Sequence, residues 1–264
     1  MNIKSFYGLT DIPFLKEIPA SDIFKYAGLE ELFDRLEYMK RHRGIMLLTA
    51  PSGCGKSTAI RCFMETLNKN MFYPVYIPLA TVSSRDFYRQ LNSSLCGENK
   101  SCKSELFKSI QSQIIQYNKE SRIPVIVFDE AHLFLSDNFF ELQIIMNFKC
   151  DSYDPAIFIL AAQPHIIDRL SAAYFNSFMQ RINLKYTIKP LTKDETKEYI
   201  IQQLKLKGRS EEIFSEAGYA AIFNISGGII RLAGKLAHKT LMIGAEKKKQ
   251  LLTEEEVLLA AREL

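Results

Sequence analysis

The residues with the clearest chemical potential lie at positions 49–58, which read TAPSGCGKST and follow the apolar run at 45–48. A buried strand, a tight glycine loop and a helix start in this order are the context that a phosphate-binding loop requires. Backbone N–H groups of such a loop surround phosphate oxygens, and the helix N-terminus adds partial positive charge. The segment therefore predicts a nucleotide site built from Ser52, Gly53, Cys54, Gly55, Lys56, Ser57 and Thr58.

Two side chains of this loop have distinct expected roles. Lys56 can reach the β- and γ-phosphates of ATP, and the Ser57 hydroxyl can ligate Mg²⁺. The usual spacing begins with glycine, whereas this chain has Ala50 at that position. Alanine is the smallest substitute, but it requires that the position avoid positive φ. An ordinary glycine turn with a chance lysine is the alternative, which the strand and helix context disfavours.

A second candidate segment, at 124–132, reads PVIVFDEAH: an apolar strand that ends in two carboxylates. Such a continuous apolar run predicts a buried parallel strand, and α/β sheets bind ligands at the carboxyl ends of their strands. We expect Asp129 to hold the Mg²⁺ shell through water and Glu130 to polarise the attacking water as a general base. The alternative, a strand capped by acidic turn residues, is disfavoured by the glycine loop that precedes it.

Composition sets broad limits on the protein. Its 264 residues, 47% of them hydrophobic, suffice for one large or two modest domains. The net charge of +4 favours no class of partner by itself. No apolar stretch approaches eighteen residues and the first residues lack a signal-peptide segment, so we expect no membrane span. The five cysteines lack metal-binding spacing, and we interpret them as free thiols in a reducing cytoplasm.

The elements that must position these residues alternate between strand and helix. Strands are predicted at 45–49, 75–77, 124–128, 157–162 and 184–188, and helices at 29–39 with Gly44 as cap, 56–68, 81–122 with a polar break at 97–101, and 139–148. This order predicts a parallel sheet covered on both faces. Beyond a capping box at Thr192 and Glu195 the chain has only helical patterns, ending in a helix opened by Thr253 and Glu256.

We therefore predict an α/β fold: a P-loop parallel-sheet sandwich followed by an all-helical C-terminal lid. The expected organisation is an N-terminal arm at 1–28 near the nucleotide, an ATPase domain at 29–190 and the lid at 191–264.

This order of elements resembles that of AAA+ ATPases. The resemblance implies that Gln163, at the end of the strand after Asp129, is the sensor 1 residue that monitors the γ-phosphate. It implies that Arg181 is an arginine finger acting on a neighbouring subunit, and that Arg231 is the sensor 2 arginine of the lid. Alternatives stay open: Gln163 as a turn residue, Arg181 as a surface arginine flanking a strand with Arg169 as the rival finger, and Arg231 as a surface side chain of a lid helix.

Residues 6–14, FYGLTDIPF, resemble the start of the ExeA-like group of AAA+ proteins. That group includes secretion-pathway ATPases, with a membrane span and a peptidoglycan-binding part, and transposon-encoded regulators of the TniB, TnsC and MuB kind. Neither extra part is found here, so the resemblance implies the transposon type: a cytoplasmic ATP hydrolase. Such a protein assembles with its own copies into rings or filaments on double-stranded DNA without sequence specificity. It regulates transposition by recruiting a transposase.

In the transposon-type relatives, DNA contacts come from the segment after the second strand, which here favours Arg89, Lys100 and Lys103. Residues 81–122 carry seven basic and four acidic side chains, and residues 231–249 carry six and one. Basic stripes can neutralise phosphates, although solvated helix faces are the alternative. Three further interpretations remain: a secretion or envelope-assembly ATPase, a nucleotide-sensing interaction protein with negligible hydrolysis, and a replication ATPase of the clamp- or helicase-loader type.

Overall fold

The computed structural model describes residues 3–15, 18–78, 81–97, 100 and 102–263, so part of the predicted polar break (98, 99 and 101) lies outside the described residues. The chain divides into two compact units. The helical unit comprises Met1–Ala27, Pro51–Gly55 and Lys189–Leu264, and the sheet unit comprises Gly28–Ala50 and Lys56–Ile188. None of the described helices is both long and apolar enough to cross a membrane.

Five strands and twelve α-helices are defined among the described residues. The strands are β1 (Gly44–Thr49), β2 (Phe72–Ile77), β3 (Ile123–Phe128), β4 (Ile157–Ala162) and β5 (Ile182–Thr187). The helices are α1 (Ile3–Tyr7), α2 (Ala27–His42), α3 (Lys56–Thr66), α4 (Ser84–Cys96), α5 (Lys103–Lys119), α6 (Ser136–Ile145), α7 (Ile166–Leu170), α8 (Asn176–Met179), α9 (Lys193–Lys205), α10 (Glu216–Ser226), α11 (Ile230–Glu246) and α12 (Glu254–Ala261).

The sheet has the strand order β2-β3-β4-β1-β5, and every neighbouring pair is parallel. Strands β1 and β4 are buried along their whole length, as their continuous apolar sequences predict. Because all strands run the same way, their carboxyl ends share one edge, where Asp129 follows β3 and Gln163 follows β4. The predicted α/β fold with a parallel sheet and a helical C-terminal region is confirmed.

An aromatic cluster lies beneath this edge of the sheet unit. Five buried phenylalanine rings contact one another in a chain, with centroids 5.2–5.4 Å apart, in the order Phe87, Phe128, Phe134, Phe139 and Phe178. Burying one phenylalanine side chain contributes roughly 1.5–3 kcal/mol. Since Phe128 and Phe134 bracket the residues after β3, the cluster fixes the backbone that carries the predicted catalytic carboxylates.

The start of β1 depends on a close approach between two strands. Gly44 has φ +86°, and the left-handed position after α2 is taken by Arg43 (φ 59°), so Gly44 opens the strand rather than capping the helix as predicted. The Asn183 side-chain oxygen accepts a hydrogen bond from the N–H of Ile45 at 2.7 Å. A Cβ added to Gly44 would lie 2.1 Å from that oxygen. The β1–β5 register shifts at this point.

In the helical unit, residues of the predicted arm pack onto the C-terminal helices. The Tyr7 hydroxyl donates to the Lys249 carbonyl at 3.0 Å, and the Thr10 N–H donates to the Lys207 carbonyl at 2.9 Å. Capping boxes open α9, at Thr192 and Glu195, and α12, at Thr253 and Glu256, as the sequence predicts. The arm is thereby built into the same core as the helices that follow residue 189.

Candidate active site

Lys56 is the first residue of α3 and is only 6% exposed. A lysine is rarely so buried unless an anion lies near it. Its Nζ lies 3.9 Å from Oε1 of Glu130, with which it forms an ion pair within the sheet unit. The structure thus brings together the predicted phosphate-binding cation and the predicted general base.

Asp129 receives three hydrogen bonds. The Ser57 hydroxyl donates to Oδ2 at 2.8 Å, the Tyr76 hydroxyl donates to the same oxygen at 2.7 Å, and the Glu130 N–H donates to Oδ1 at 2.9 Å. An ionised carboxylate accepts several such bonds without needing a donor of its own. Burial, together with the neighbouring Asp129 carboxylate, raises the pKa of Tyr76, so its hydroxyl keeps its proton at neutral pH.

The Ser57 hydroxyl and the Asp129 carboxylate suit Mg²⁺. Both are hard oxygen ligands of the kind that this ion selects, and they already lie within hydrogen-bond distance of each other. Ser57, Thr58 and Tyr76 also line an open cleft of about 450 Å³ beside α3. The donor set therefore fits the predicted metal ligands Ser57 and Asp129.

Glu130 has an unusual backbone. Its φ and ψ are 54° and 34°, in the left-handed region that costs a non-glycine residue roughly 1–3 kcal/mol. Such residues persist where their surroundings hold them, and they concentrate at active sites. The Glu130 side chain is 42% exposed, so a water molecule can reach its carboxylate. Its second oxygen, Oε2, lies 3.4 Å from Nε2 of His132.

His132 joins Glu130 to the end of β4. The backbone N–H of Gln163 donates to Nδ1 of the imidazole at 3.3 Å. Burial lowers the pKa of His132, although the Glu130 carboxylate opposes that effect. The imidazole is therefore neutral at neutral pH, with its proton on Nε2 facing Glu130. The predicted sensor residue thus lies next to the general base through its backbone, with His132 between them.

Both candidate finger arginines make contacts inside the sheet unit. The Arg181 guanidinium lies 2.7 Å from Oδ1 of Asp151. The Arg169 guanidinium donates to the His132 carbonyl at 3.2 Å and lies over the Phe139 ring, 5.4 Å from its centroid. Arg169 thus packs against a buried phenylalanine ring in addition to donating to a backbone carbonyl.

In the helical unit, the loop glycines meet the start of α11. Gly53 and Gly55 have φ of 86° and 87°, which only glycine adopts readily. The Arg231 N–H donates to the Gly53 carbonyl at 3.0 Å. A Cβ on Gly53 would lie 2.9 Å from the Ile229 side chain, so this position has no room for one. Gly53 and Gly55 therefore lie against the start of α11, while the Arg231 side chain is exposed.

Ala50 tolerates its place at the start of the loop. It is fully buried, and its N–H donates to the Ala162 carbonyl at 3.1 Å. It does not occur among the described residues with positive φ, so alanine adopts the backbone of this position without strain.

Two of the three predicted DNA contacts form ion pairs within the sheet unit. Arg89 lies 3.4 Å from Asp86. Lys103 forms a salt bridge with Glu141, a nearly buried carboxylate. Lys100 lines an open cleft of about 660 Å³ on the surface of α5. In the helical unit, three lysines of the second basic stripe pair with C-terminal carboxylates: Lys239 with Glu263, Lys247 with Glu255, and Lys249 with Glu255 and Glu256.

Sequence reasoning missed two contacts of this site. Tyr76 reaches Asp129 because the parallel register places it beside Val127 on β3, and that register was not predicted. The contacts of His132, which belongs to the Asp-Glu segment, were not predicted either. Its contact with Gln163 depends on the 3₁₀ turn at Ala131–Leu133, for which the sequence carries no separate signal.

Comparison with known proteins gives the family. A family model described as an AAA domain matches residues 39–170, which is half of the chain. General secretion pathway protein A of Aeromonas hydrophila is 24% identical over 266 residues, which cover 98% of this chain and 48% of that protein. The chain therefore spans about half the length of this curated relative.

Solved structures share the fold at low sequence identity. Cdc6p from Pyrobaculum aerophilum has a TM-score of 0.69 at 16% identity, covering 98% of this chain and 70% of its own. The ORC2 protein of Aeropyrum pernix has a TM-score of 0.67 at 12% sequence identity, and the match covers 95% of this chain and 70% of that protein. The Thermotoga maritima RuvB Holliday junction branch migration motor has a TM-score of 0.60 at 16% sequence identity, and the match covers 95% of this chain and 73% of that protein. With its glycine loop, its parallel sheet and a family match over half its length, the chain belongs to the AAA domain family of AAA+ P-loop proteins.

Proposed function

We propose that the protein binds ATP with Mg²⁺ and hydrolyses it. The observation that carries this proposal is the convergence of four side chains in the sheet unit. Lys56 faces Glu130 at 3.9 Å, and Ser57 donates to Asp129 at 2.8 Å. A cation for the phosphates, two oxygen ligands for a metal and an accessible carboxylate are the parts that phosphoryl transfer to water requires.

Each residue has one task in this mechanism. Lys56 neutralises the β- and γ-phosphates, and in doing so exchanges its contact with Glu130 for a phosphate oxygen. Ser57 and Asp129 would hold Mg²⁺, which supplies charge neutralisation at the phosphates when bound. Glu130 accepts a proton from the attacking water and directs that water at the γ-phosphate.

Phosphate release by the purified protein tests this proposal, with Glu130→Gln as the decisive variant. Glutamine has nearly the shape of glutamate but cannot act as a base, so we expect ATP binding to persist while turnover falls by about 10²-fold or more. A matched control is Glu120→Gln, which changes an exposed glutamate beyond the end of α5. Unchanged turnover in Glu130→Gln would mean that a residue other than Glu130 is the general base.

We further propose that ATP drives assembly of copies of this chain on duplex DNA in the cytoplasm, and that the assembly recruits a transposase. Support comes from the FYGLTDIPF resemblance and from the basic residues after β2, namely Arg89, Lys100 and Lys103. Within such an assembly Arg181 would reach a neighbour's nucleotide, Gln163 would respond to the γ-phosphate, and Arg231 would serve as the second sensor.

DNA binding is tested by measuring affinity for unrelated duplexes against salt concentration. We expect no sequence preference and a log–log slope of about −0.9 for each phosphate neutralised. Because Lys103 pairs with the nearly buried Glu141, charge reversal there would disturb the fold. The sharper variant is therefore Arg89→Glu with Lys100→Glu, and Lys205→Glu, at an exposed position at the end of α9 outside both basic segments, serves as the control. If the double variant binds duplex DNA with wild-type affinity, the DNA-binding surface is not formed by Arg89 and Lys100, and residues 231–249 become the next candidates.

A secretion or envelope-assembly ATPase is the second candidate. The observation that favours it is the match of 98% of this chain to General secretion pathway protein A. The response of hydrolysis to DNA separates the two candidates. Stimulation by duplex DNA supports the transposition proposal, whereas hydrolysis that duplex DNA leaves unchanged supports the secretion candidate.

A further inference from the structure

His132 lies between the Glu130 carboxylate and the backbone of Gln163 at the end of β4. Its Nε2 lies 3.4 Å from Oε2 of Glu130, and its Nδ1 accepts the backbone N–H of Gln163 at 3.3 Å. The ring is nearly buried and lies perpendicular to the ring of His165, with centroids 4.9 Å apart. One imidazole therefore connects the predicted general base with the carboxyl end of β4.

The hydrogen bond from Gln163 determines which nitrogen of His132 carries the proton. Because Nδ1 accepts that bond, a neutral imidazole must carry its proton on Nε2. The Nε2–H then faces Glu130 and can donate to its carboxylate. In this tautomer Nδ1 uses its lone pair to accept from Gln163 and Nε2 carries the proton, so neither nitrogen has a lone pair free for a water proton. The arrangement makes His132 a poor general base and leaves that role to Glu130.

Glu130 needs such a partner more than an ordinary glutamate does. Its backbone is left-handed (φ 54°), and 42% of its side chain is exposed, so few packing contacts restrict its carboxylate. Its charged partner in the sheet unit is Lys56, which we expect to transfer its contact to phosphate when ATP binds. Of the two polar contacts, the one with His132 is the contact that can persist in the reacting state.

We propose that His132 is a positioning residue for hydrolysis: its Nε2–H orients the Glu130 carboxylate, and the Gln163 backbone N–H holds the ring in place. This inference rests on the proposed function, with Glu130 as the base. It also means that a shift of the β4 carboxyl end reaches the base through one side chain. The Gln163 backbone then contributes to catalysis whatever its own side chain contacts.

Two substitutions separate the contacts of His132. Asparagine offers an oxygen near the position of Nδ1, so H132N keeps an acceptor for Gln163 but has no group that reaches Glu130. Glutamine offers an amide N–H near the position of Nε2, so H132Q keeps a donor for Glu130. Turnover, ATP affinity and unfolding midpoint are measured for both variants and for H165N, which alters the exposed neighbouring ring and serves as the matched control.

We expect H132N to lose about 10- to 100-fold in kcat, because a misplaced catalytic group costs up to about 10² in rate. H132Q should retain kcat within about threefold, and H165N should match the wild type. ATP affinity should change in none of them. Wild-type kcat in H132N, or equal losses in H132N and H132Q at unchanged stability, would overturn the inference alone. Absence of hydrolysis in the wild-type protein would overturn the proposed function itself, and the inference with it.

A measurement on the wild-type protein keeps the inference testable if H132N fails to fold. Nitrogen NMR of the His132 ring reports which nitrogen carries the proton. We expect the neutral Nε2–H tautomer at neutral pH. The Nδ1–H tautomer would overturn the inference, because the ring could then neither accept from Gln163 nor donate to Glu130.

Discussion

Arg181 and Asp151 form an ion pair at 2.7 Å, and Asp151 is the last of three consecutive non-glycine residues that have positive φ. The φ values of Lys149, Cys150 and Asp151 are 48°, 55° and 65°. Arg181 also donates to the Gln143 carbonyl at 3.4 Å. The guanidinium proposed to act on a neighbouring subunit is thus bound by a carboxylate of its own chain, and two predictions depend on that pairing.

Arg181→Ala should leave ATP affinity nearly normal and abolish turnover and assembly together. An arginine acting in trans is worth on the order of 10³–10⁵ in rate in favourable cases. Mixing Arg181→Ala with Lys56→Ala subunits should restore part of the activity, because one variant binds ATP and the other supplies the arginine. Titrating one variant into the other while following phosphate release measures this. No recovery at any ratio of folded proteins would make Arg181 structural.

Asp151→Asn should raise turnover at low protein concentration, because it removes the carboxylate that competes for Arg181. A partly exposed ion pair contributes up to about 1 kcal/mol, so the gain should reach about fivefold at most. Turnover measured as a function of protein concentration should show the gain disappear as assembly saturates. Asp137→Asn, an exposed carboxylate on α6, is the control. A decrease at every concentration would mean that the pair supports the active conformation.

Lys56→Ala should remove most ATP affinity while the fold persists. The loop keeps its backbone donors but loses a charge-assisted bond worth roughly 1.5–3 kcal/mol, which corresponds to about 10- to 150-fold in Kd. Calorimetric titration with ATP measures the change, and Lys69→Ala, before β2, controls for loss of a positive charge. Unchanged ATP affinity would contradict the phosphate-loop assignment.

Tyr76→Phe should raise the Mg²⁺ concentration needed for half-maximal hydrolysis by about tenfold, since residues that orient a metal ligand typically contribute 10- to 100-fold. The variant removes one donor from Asp129 and leaves those of Ser57 and Glu130. Hydrolysis measured across a magnesium titration tests this, with Tyr38→Phe on α2 as the control. An unchanged magnesium dependence would mean that the Tyr76 hydroxyl does not orient Asp129 and that the side chain serves only in packing.

Glu256 should make stability depend on acid pH. Burial alone would raise its pKa, but hydrogen bonds from Lys249 and Thr253 lower the pKa from 4.5 to about 2. Because the folded state binds its proton less readily, the contribution is complete above about pH 4.5 and is lost as pH falls towards about 2. Glu256→Gln should destabilise the protein by about 2 kcal/mol at neutral pH, and the difference should shrink across that window. Denaturant unfolding at several pH values measures it, with exposed Glu254→Gln as the control. A difference that stays constant with pH would contradict the assignment.

The sequence predicts elements best where one physical signal dominates. Strand β4 was predicted at 157–162 and is observed there, because an uninterrupted apolar run has one interpretation in a parallel sheet. Strand β2 was predicted only at 75–77, yet it begins at Phe72 and includes Pro74. Proline is tolerated there because β2 lies at the sheet edge, and an edge position cannot be derived from a single strand. Helix α6 ends at Ile145, earlier than predicted, and Met146 and Phe148 are buried beyond its end.

Some contacts of the candidate site could likewise be predicted from the sequence, and others could not. The proximity of Ser57 and Asp129 follows from parallel strands whose carboxyl ends share an edge, so sequence order suffices to predict it. The contact between His132 and Gln163, by contrast, depends on backbone torsions in a 3₁₀ turn. The pairing of Lys103 with Glu141 depends on how helices pack across 38 positions of the chain. Neither leaves a periodic trace in the sequence.

The junction of Gly44 and Asn183 restricts how this sequence can drift over evolutionary time. Replacing Gly44 alone forces the Asn183 amide away and leaves the Ile45 N–H without its acceptor, and replacing Asn183 alone orphans the same N–H. Each first step is harmful, although the two changes made together with a repaired strand register would be far less so. Homologues should therefore carry both residues or neither, and the pair should covary even though it lies at the end of the sheet remote from the proposed chemistry.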